Sequence, residues 1–224
     1  MTAERADPNL RGLLIQLAWA FTAYQVIHVG THLGIPDLLA DGPKSSNELA
    51  EATNADPAAL YRLLRGLDCL GITEESDPGQ FALTSFGAPL RADHPDSIRN
   101  QTLFYCGAQT WENWGHLLES VRMGKPVYEL HNRPGPFEGG DDEFWTIFNA
   151  AMSEGTRQAA SGVAGSYDFS PFRSVVDVGG GDGTLIGAIL TANDGLRGYS
   201  STVPPASRRP QVACVRPAWR IAAR

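Results

Sequence analysis

The chain has 224 residues, 42% of them hydrophobic, enough to bury one or two cores. Its formal net charge of -7 excludes the basic footprint of a nucleic-acid binder and a polybasic membrane surface. The three cysteines, Cys69, Cys106 and Cys214, are odd in number and lack C-x-x-C spacing, so they indicate neither a disulfide framework nor a zinc site. Reduced thiols are expected, two of them in the core. The opening MTAERADPNL lacks the basic-then-apolar order of a secretory signal, and a cytoplasmic location is the expectation.

From Gly12 to Pro36 there is no Asp, Glu, Lys or Arg, a span long enough to cross a bilayer. Gln16, Gln25, His28 and His32 interrupt it. A helix apolar nearly all round is also what burial on two sides produces, so the segment is expected at an interface between two subunits and not in a membrane.

Short signals follow. Ser45-Ser46-Asn47-Glu48 has the form of a capping box and opens a helix through Ala52. Asp56-Pro57 supplies an N-cap and a first-turn proline for a second helix, whose Leu60, Leu63, Leu64, Leu67 and Leu70 share one face before Gly71 stops it. ITEE and QFALT flank the turn DPG as two extended pieces. Helix, turn, helix, hairpin is the order of a winged helix. Its second helix carries only Arg62 and Arg65, near Asp68, so packing or dimerisation is favoured over reading DNA. Asp96 to Met123 has a helical pattern ended by Gly124-Lys125-Pro126, and a Gly/Pro-rich loop leads to another helix from about Asp142 to Ala160.

Ser174–Val178 is a short apolar strand containing Asp177, and a helix begins at Thr184. The glycines between them form a strand-to-helix turn, where backbone N–H groups and a helix N-terminus can approach a ligand. A dinucleotide fingerprint starting at Gly179 would need glycine at 184, where Thr184 stands, and no G-K-[ST] follows. The pattern that fits is apolar-apolar-acid-apolar-G-x-G-x-G, the first motif of S-adenosylmethionine-dependent methyltransferases.

With VVDVGGGDG in hand, the chain resembles the small-molecule O-methyltransferases of bacteria and plants over about residues 10–198. LGIPDLL, LYRLLRGL, GQFALTSFG, the Trp114 to Leu117 W-x-x-L run and FNAAM carry the rest of the likeness. The resemblance implies a mainly α fold with a winged-helix N-terminal dimerisation domain (1–95), a helical connection (96–173), and the first βα unit of an α/β Rossmann-like methyltransferase domain (174–198). It implies S-adenosylmethionine as cofactor, held by Asp177, Gly179, Gly180, Gly181, Asp182, Gly183 and Met152, with an aromatic or polyketide-like hydroxyl compound as methyl acceptor. A homodimer is implied, with no nucleic-acid or membrane partner and no metal. A winged-helix DNA-binding regulator and a dimerisation-only protein are the alternative functions.

Two departures stand out. The family's histidine general base has no match, since His28, His32, His94, His116 and His131 all precede the glycines, so no catalytic residue is assigned. From Leu196 to Arg224 there are six Arg and four Pro with no Lys and no acid, and no strand or helix period, so 199–224 is expected to be irregular. Back-translated with G or C at free third bases and read one base earlier, Tyr199 onward begins VLVD, with its acid at position 202. The expectation is a frameshifted, truncated and inactive methyltransferase.

Overall fold

The computed structural model describes residues 8–135, 140–202 and 211–215. The chain divides into two compact units, Met1–Cys106 and Gly107–Arg224.

The first unit opens with α1 (Pro8–His32) and the short α2 (Ile35–Leu38). α1 stops four residues before the end of the charge-free stretch because Gly34 turns the chain in the left-handed region. Next come β1 (Lys44–Ser45), α3 (Ser46–Thr53), α4 (Pro57–Cys69), β2 (Thr73–Asp77), β3 (Gln80–Leu83) and α5 (Arg99–Tyr105). The capping box forms: the Glu48 N–H donates to Ser45 Oγ at 3.2 Å, and the Ser45 N–H donates to the Glu48 carboxylate at 2.7 Å. Asp56 caps α4 through the Ala59 N–H at 2.8 Å.

The leucine face of α4 makes the core. Leu60, Leu64 and Leu67 are buried with Ile35, Leu49, Ile72 and Phe81, while Leu63 and Leu70 pack on the same cluster. Each full burial contributes about 1.5–3 kcal/mol, so this face fixes the unit. The strands pair antiparallel in the order β1-β3-β2, with Glu75 opposite Phe81. Glu75 ties this hairpin to α4, accepting from the Tyr61 hydroxyl at 3.0 Å, Arg65 Nη1 at 2.8 Å and the Gly79 N–H at 2.7 Å. The Gly79 N–H first, then Tyr61 and Arg65, hold its carboxyl below the usual range. One face of α1 packs through Val26 and Ile27, but Leu10, Leu13, Leu14, Leu17, Trp19 and Phe21 are exposed. Cys106 is buried, which pushes its thiol up to about 11, whereas Cys69 lies exposed, and the side chain of Cys214 falls outside the described residues.

The second unit holds α6 (Ala108–Gly115), α7 (Leu117–Met123), α8 (Val127–Leu130), α9 (Asp142–Ser166), β4 (Ser174–Val178), α10 (Thr184–Ala192), β5 (Arg197–Thr202) and β6 (Gln211–Val215). The helical pattern expected from Asp96 to Met123 is thus three helices. The breaks fall at Gly107, which is extended, and at His116 after Gly115. α9 runs past Ala160 to Ser166, since its small-residue end contains no proline. The larger correction concerns the expected irregular tail. Residues 197–202 form a strand parallel to β4, because Tyr199 and Thr202 suit extended backbone and β4 offers its unpaired edge. β6 then adds antiparallel to β5.

Gly87 supplies a test of the first unit's packing. Its N–H donates to Thr84 Oγ1 at 3.0 Å, and an added Cβ would fall on the Ile72 carbonyl oxygen, which already receives the Thr84 N–H. Gly87→Ala should destabilise by about 1–3 kcal/mol through overpacking, read as a lower urea midpoint at unchanged slope. An unchanged midpoint would contradict the close approach.

Candidate functional site

The site is built where β4 ends. β4 and β5 run in register, with Val175 opposite Gly198, Asp177 opposite Ser200 and Val178 opposite Ser201. Beyond the last pair the Ser201 carbonyl accepts from both the Gly179 N–H (2.7 Å) and the Gly180 N–H (3.1 Å). The chain then reverses into α10 through Gly179, Gly181 and Gly183, with φ of 81°, 55° and 84°. L side chains rarely adopt that region, which is why these three positions are glycine. The Gly183 N–H closes the turn on the Gly180 carbonyl at 2.8 Å.

Two of the amides expected to face a ligand, those of Gly179 and Gly180, therefore hold the turn to β5. The Gly181 and Asp182 N–H groups take part in none of these bonds. Gly180 has a different reason to be glycine. A Cβ there would lie 2.5 Å from Asp177 Oδ2 and 2.6 Å from Ser200 Oγ, so these two oxygens converge on its bare backbone. Both oxygens are buried and lack a hydrogen-bond partner among the described residues. A buried carboxylate oxygen and hydroxyl without partners cost free energy, and a ligand that donates hydrogen bonds or carries positive charge would recover it.

Asp182 is committed differently. Its Oδ1 accepts from the Thr184 N–H at 3.0 Å and the Thr184 hydroxyl at 2.7 Å, capping the start of α10. Its Oδ2 lies 2.6 Å from Ser153 Oγ of α9. Burial pushes the Asp182 carboxyl up, but the bonds from Ser153 and Thr184, with the nearby Arg157 charge, outweigh it and hold the group below the usual range. Met152, half-buried on α9, immediately precedes Ser153. The Ser153 bond thus brings the helix carrying Met152 against the glycine turn.

Sequence reasoning missed Ser153 and Ser200. Ser153 adjoins the FNAAM element, a usable signal, whereas Ser200 lies in the stretch read as irregular and becomes visible only through its pairing with Asp177.

Because folding depresses the Asp182 carboxyl, its contribution is fully present above the unfolded value near ~3.9 and is lost as pH falls through the folded value. Asp182→Asn should flatten the acid limb of a stability-versus-pH curve below about pH 4, with Ser153→Ala acting in the same direction and less. An unaltered acid limb in both variants would contradict the Ser153–Asp182–Thr184 arrangement.

Comparisons with known proteins bear on both units. Residues 15–90 match the O-methyltransferase dimerisation domain, and residues 114–203 match the O-methyltransferase domain. The chain is 36% identical over 191 residues to phenazine O-methyltransferase PhzM of Lysobacter antibioticus, covering 84% of this chain and 56% of that protein. It is also 36% identical over 182 residues to 8-amino-8-demethylriboflavin N,N-dimethyltransferase of Streptomyces davaonensis, covering 80% and 51%. The crystal structure of the O-methyltransferase NcsB1 from neocarzinostatin biosynthesis, with S-adenosylmethionine and 2-hydroxy-5-methyl naphthoic acid, superposes with a TM-score of 0.66 at 31% identity, over 82% of this chain and 58% of that one. The chain spans about half the length of the curated relatives it matches. With both units matched and the glycine turn formed at the end of β4, the chain belongs to the O-methyltransferase family that joins a dimerisation domain to an S-adenosylmethionine-dependent methyltransferase domain.

Proposed function

We propose that these residues come from an enzyme that methylates a hydroxyl of an aromatic or polyketide-like small molecule with S-adenosylmethionine, and that the 224-residue chain by itself does not turn over. The carrying observation is the pair of oxygens without partners among the described residues, Asp177 Oδ2 and Ser200 Oγ, converging beside three left-handed glycines. The cofactor is cationic at sulfur and at its amino group, and it bears donor hydroxyls, so an acceptor-rich wall suits it. It supplies an electrophilic methyl group. Asp177 and Ser200 would offer acceptors, Gly179, Gly180, Gly181 and Gly183 a side-chain-free approach, and Asp182 would hold the turn to α9 near Met152.

Inactivity is supported by the residue at the end of the second parallel strand. Ligands of such sheets lie at the carboxyl ends of the strands, with a ribose-binding acid about 20 residues beyond the glycines. The last position of β5, next to the carbonyl that holds Gly179, is Thr202. A missing charged acceptor costs about 1.5–3 kcal/mol, roughly tenfold or more in affinity. No histidine of the chain is assigned as general base. The unlike composition from Leu196 onward supports a reading frame shifted by one base after Gly198, which would put an acid at position 202.

The first unit supports a homodimer and a winged-helix form. The match to a dimerisation domain covers most of α1, whose exposed Leu13, Leu14, Leu17, Trp19 and Phe21 would make an apolar subunit face. α1 is also long and apolar enough to cross a membrane by length and composition. The subunit reading is preferred because the same helix packs Val26 and Ile27 against the unit's own core. A DNA-reading role is disfavoured, since one of the two arginines of α4, Arg65, is paired with Glu75 at 2.8 Å. A cytoplasmic site of action accords with this reading.

Two measurements test the proposal. Light scattering should give a dimer that Leu17→Glu shifts toward monomer, and a stable monomer would contradict the subunit face. Calorimetric titration should find S-adenosylmethionine binding weaker than micromolar and no turnover with phenolic acceptors, with Thr202→Asp tightening binding by about tenfold. Micromolar binding or turnover by the unaltered chain would contradict its inactivity. No binding by either form would contradict the cofactor site.

A further inference from the structure

Away from the glycine turn, three short helices carry a cluster that the methyltransferase reading does not use. His116 joins α6 to α7, Glu119 lies in the first turn of α7, and His131 follows α8. His131 Nε2 is 3.0 Å and His116 Nδ1 3.6 Å from the same oxygen, Glu119 Oε2. All three donor atoms lie within 4.8 Å of one another.

We propose that His116, Glu119 and His131 form a binding site for a divalent transition ion of the zinc class. A hydrogen-bonded His–Glu pair would need only His131, and at 3.6 Å the second imidazole is too far for a good hydrogen bond to the carboxylate. Donors around a tetrahedral zinc ion at ~2.0–2.2 Å stand ~3.3–3.5 Å from one another, and the two observed separations bracket that edge. The ring contact, with centroids 4.3 Å apart, does not by itself require both nitrogens to face one oxygen. Two imidazoles and a carboxylate with an open fourth position are a familiar zinc set.

The surroundings favour an ordering role. None of α6, α7 and α8 contains a buried residue, so their mutual arrangement lacks a core. Arg133 Nη2, just beyond His131, bonds Glu112 Oε1 of α6 at 2.6 Å and pins the same segments together. That pair commits Glu112 elsewhere and pre-positions the three donors. An ion held by all three would staple the α6–α7 junction to the end of α8, coupling metal binding to local order. The side chains remain about a third to a half exposed, which leaves access for the ion and for a water as fourth ligand.

Cobalt(II) is the probe, because its visible spectrum reports tetrahedral nitrogen and oxygen ligation directly. Titration into the 224-residue chain should give a saturable one-to-one signal that zinc displaces, with a raised thermal midpoint. His116→Gln/His131→Gln should weaken binding by at least ~tenfold, and Glu119→Ala should do so with both rings kept. His28→Gln/His32→Gln, which removes the other pair of neighbouring imidazoles, should leave binding unchanged. No saturable tetrahedral signal from the unaltered chain would overturn the proposal. So would a signal that survives loss of His116 and His131, or one that disappears with His28 and His32.

Discussion

The Ser201 carbonyl accepts the N–H groups of both Gly179 and Gly180, and the geometry of the glycine turn depends on that one atom. It can do so only because β5 lies parallel to β4 in a register that puts Ser201 opposite Val178. Parallel pairing in turn requires a crossover, and α10 provides it, packing Ile186 and Leu190 onto β5 where Gly198 leaves room. A residue with a side chain at position 198 would meet Leu190 within 2.5 Å. The bare residue on the strand and the bare residues in the turn are therefore parts of one arrangement. It leaves Asp177 Oδ2 and Ser200 Oγ buried, side by side in register, and without partners among the described residues.

The consequence for chemistry is a division of labour among the acids of the turn. Asp182 is occupied with Thr184 and Ser153 and acts as a fastener. Asp177 keeps an uncommitted oxygen, which is the property a ligand-binding carboxylate needs. The outer face of β4 is uncovered, with Val176 and Val178 exposed, as a strand is when one of its two faces lacks a helical cover. The first unit shows the same contrast between a filled face and an open one. α1 buries part of one side in the leucine core and exposes its remaining apolar residues.

Local signals were legible where the chain satisfies itself within a few residues. The Ser45–Glu48 box, the Asp56-Pro57 start of α4, its leucine stripe and the β2–β3 turn all form, because each closes over short sequence distance. The strand and helix around the glycines were legible too, bounded by β-branched Val175, Val176 and Val178 and by Thr184. The parallel strand β5 was not. Its segment, RGYSST, has little periodicity, and its order comes from the partner edge of β4. Ser200 was lost for that reason. The breaks at Gly107 and His116 were hidden by apolar residues that continue the helical spacing on both sides of them. The gathering of His116, Glu119 and His131 was hidden as well, because the left-handed Gly124 between α7 and α8 reverses the chain and returns His131 to the start of α7.

The central claim is that the turn from Gly179 to Gly183, with Asp177 and Ser200 beneath it, is the wall against which S-adenosylmethionine lies. The most direct measurement is nuclear magnetic resonance of the isotope-labelled chain, following backbone amides as the demethylated cofactor is added to millimolar concentration, where even weak binding registers. The account predicts saturable shifts confined to Asp177, Gly179 through Asp182, Ser200 and the Met152–Ser153 segment, and weaker ones in Asp177→Asn. Saturable shifts that avoid the glycine turn, or an unchanged response in Asp177→Asn, would contradict it.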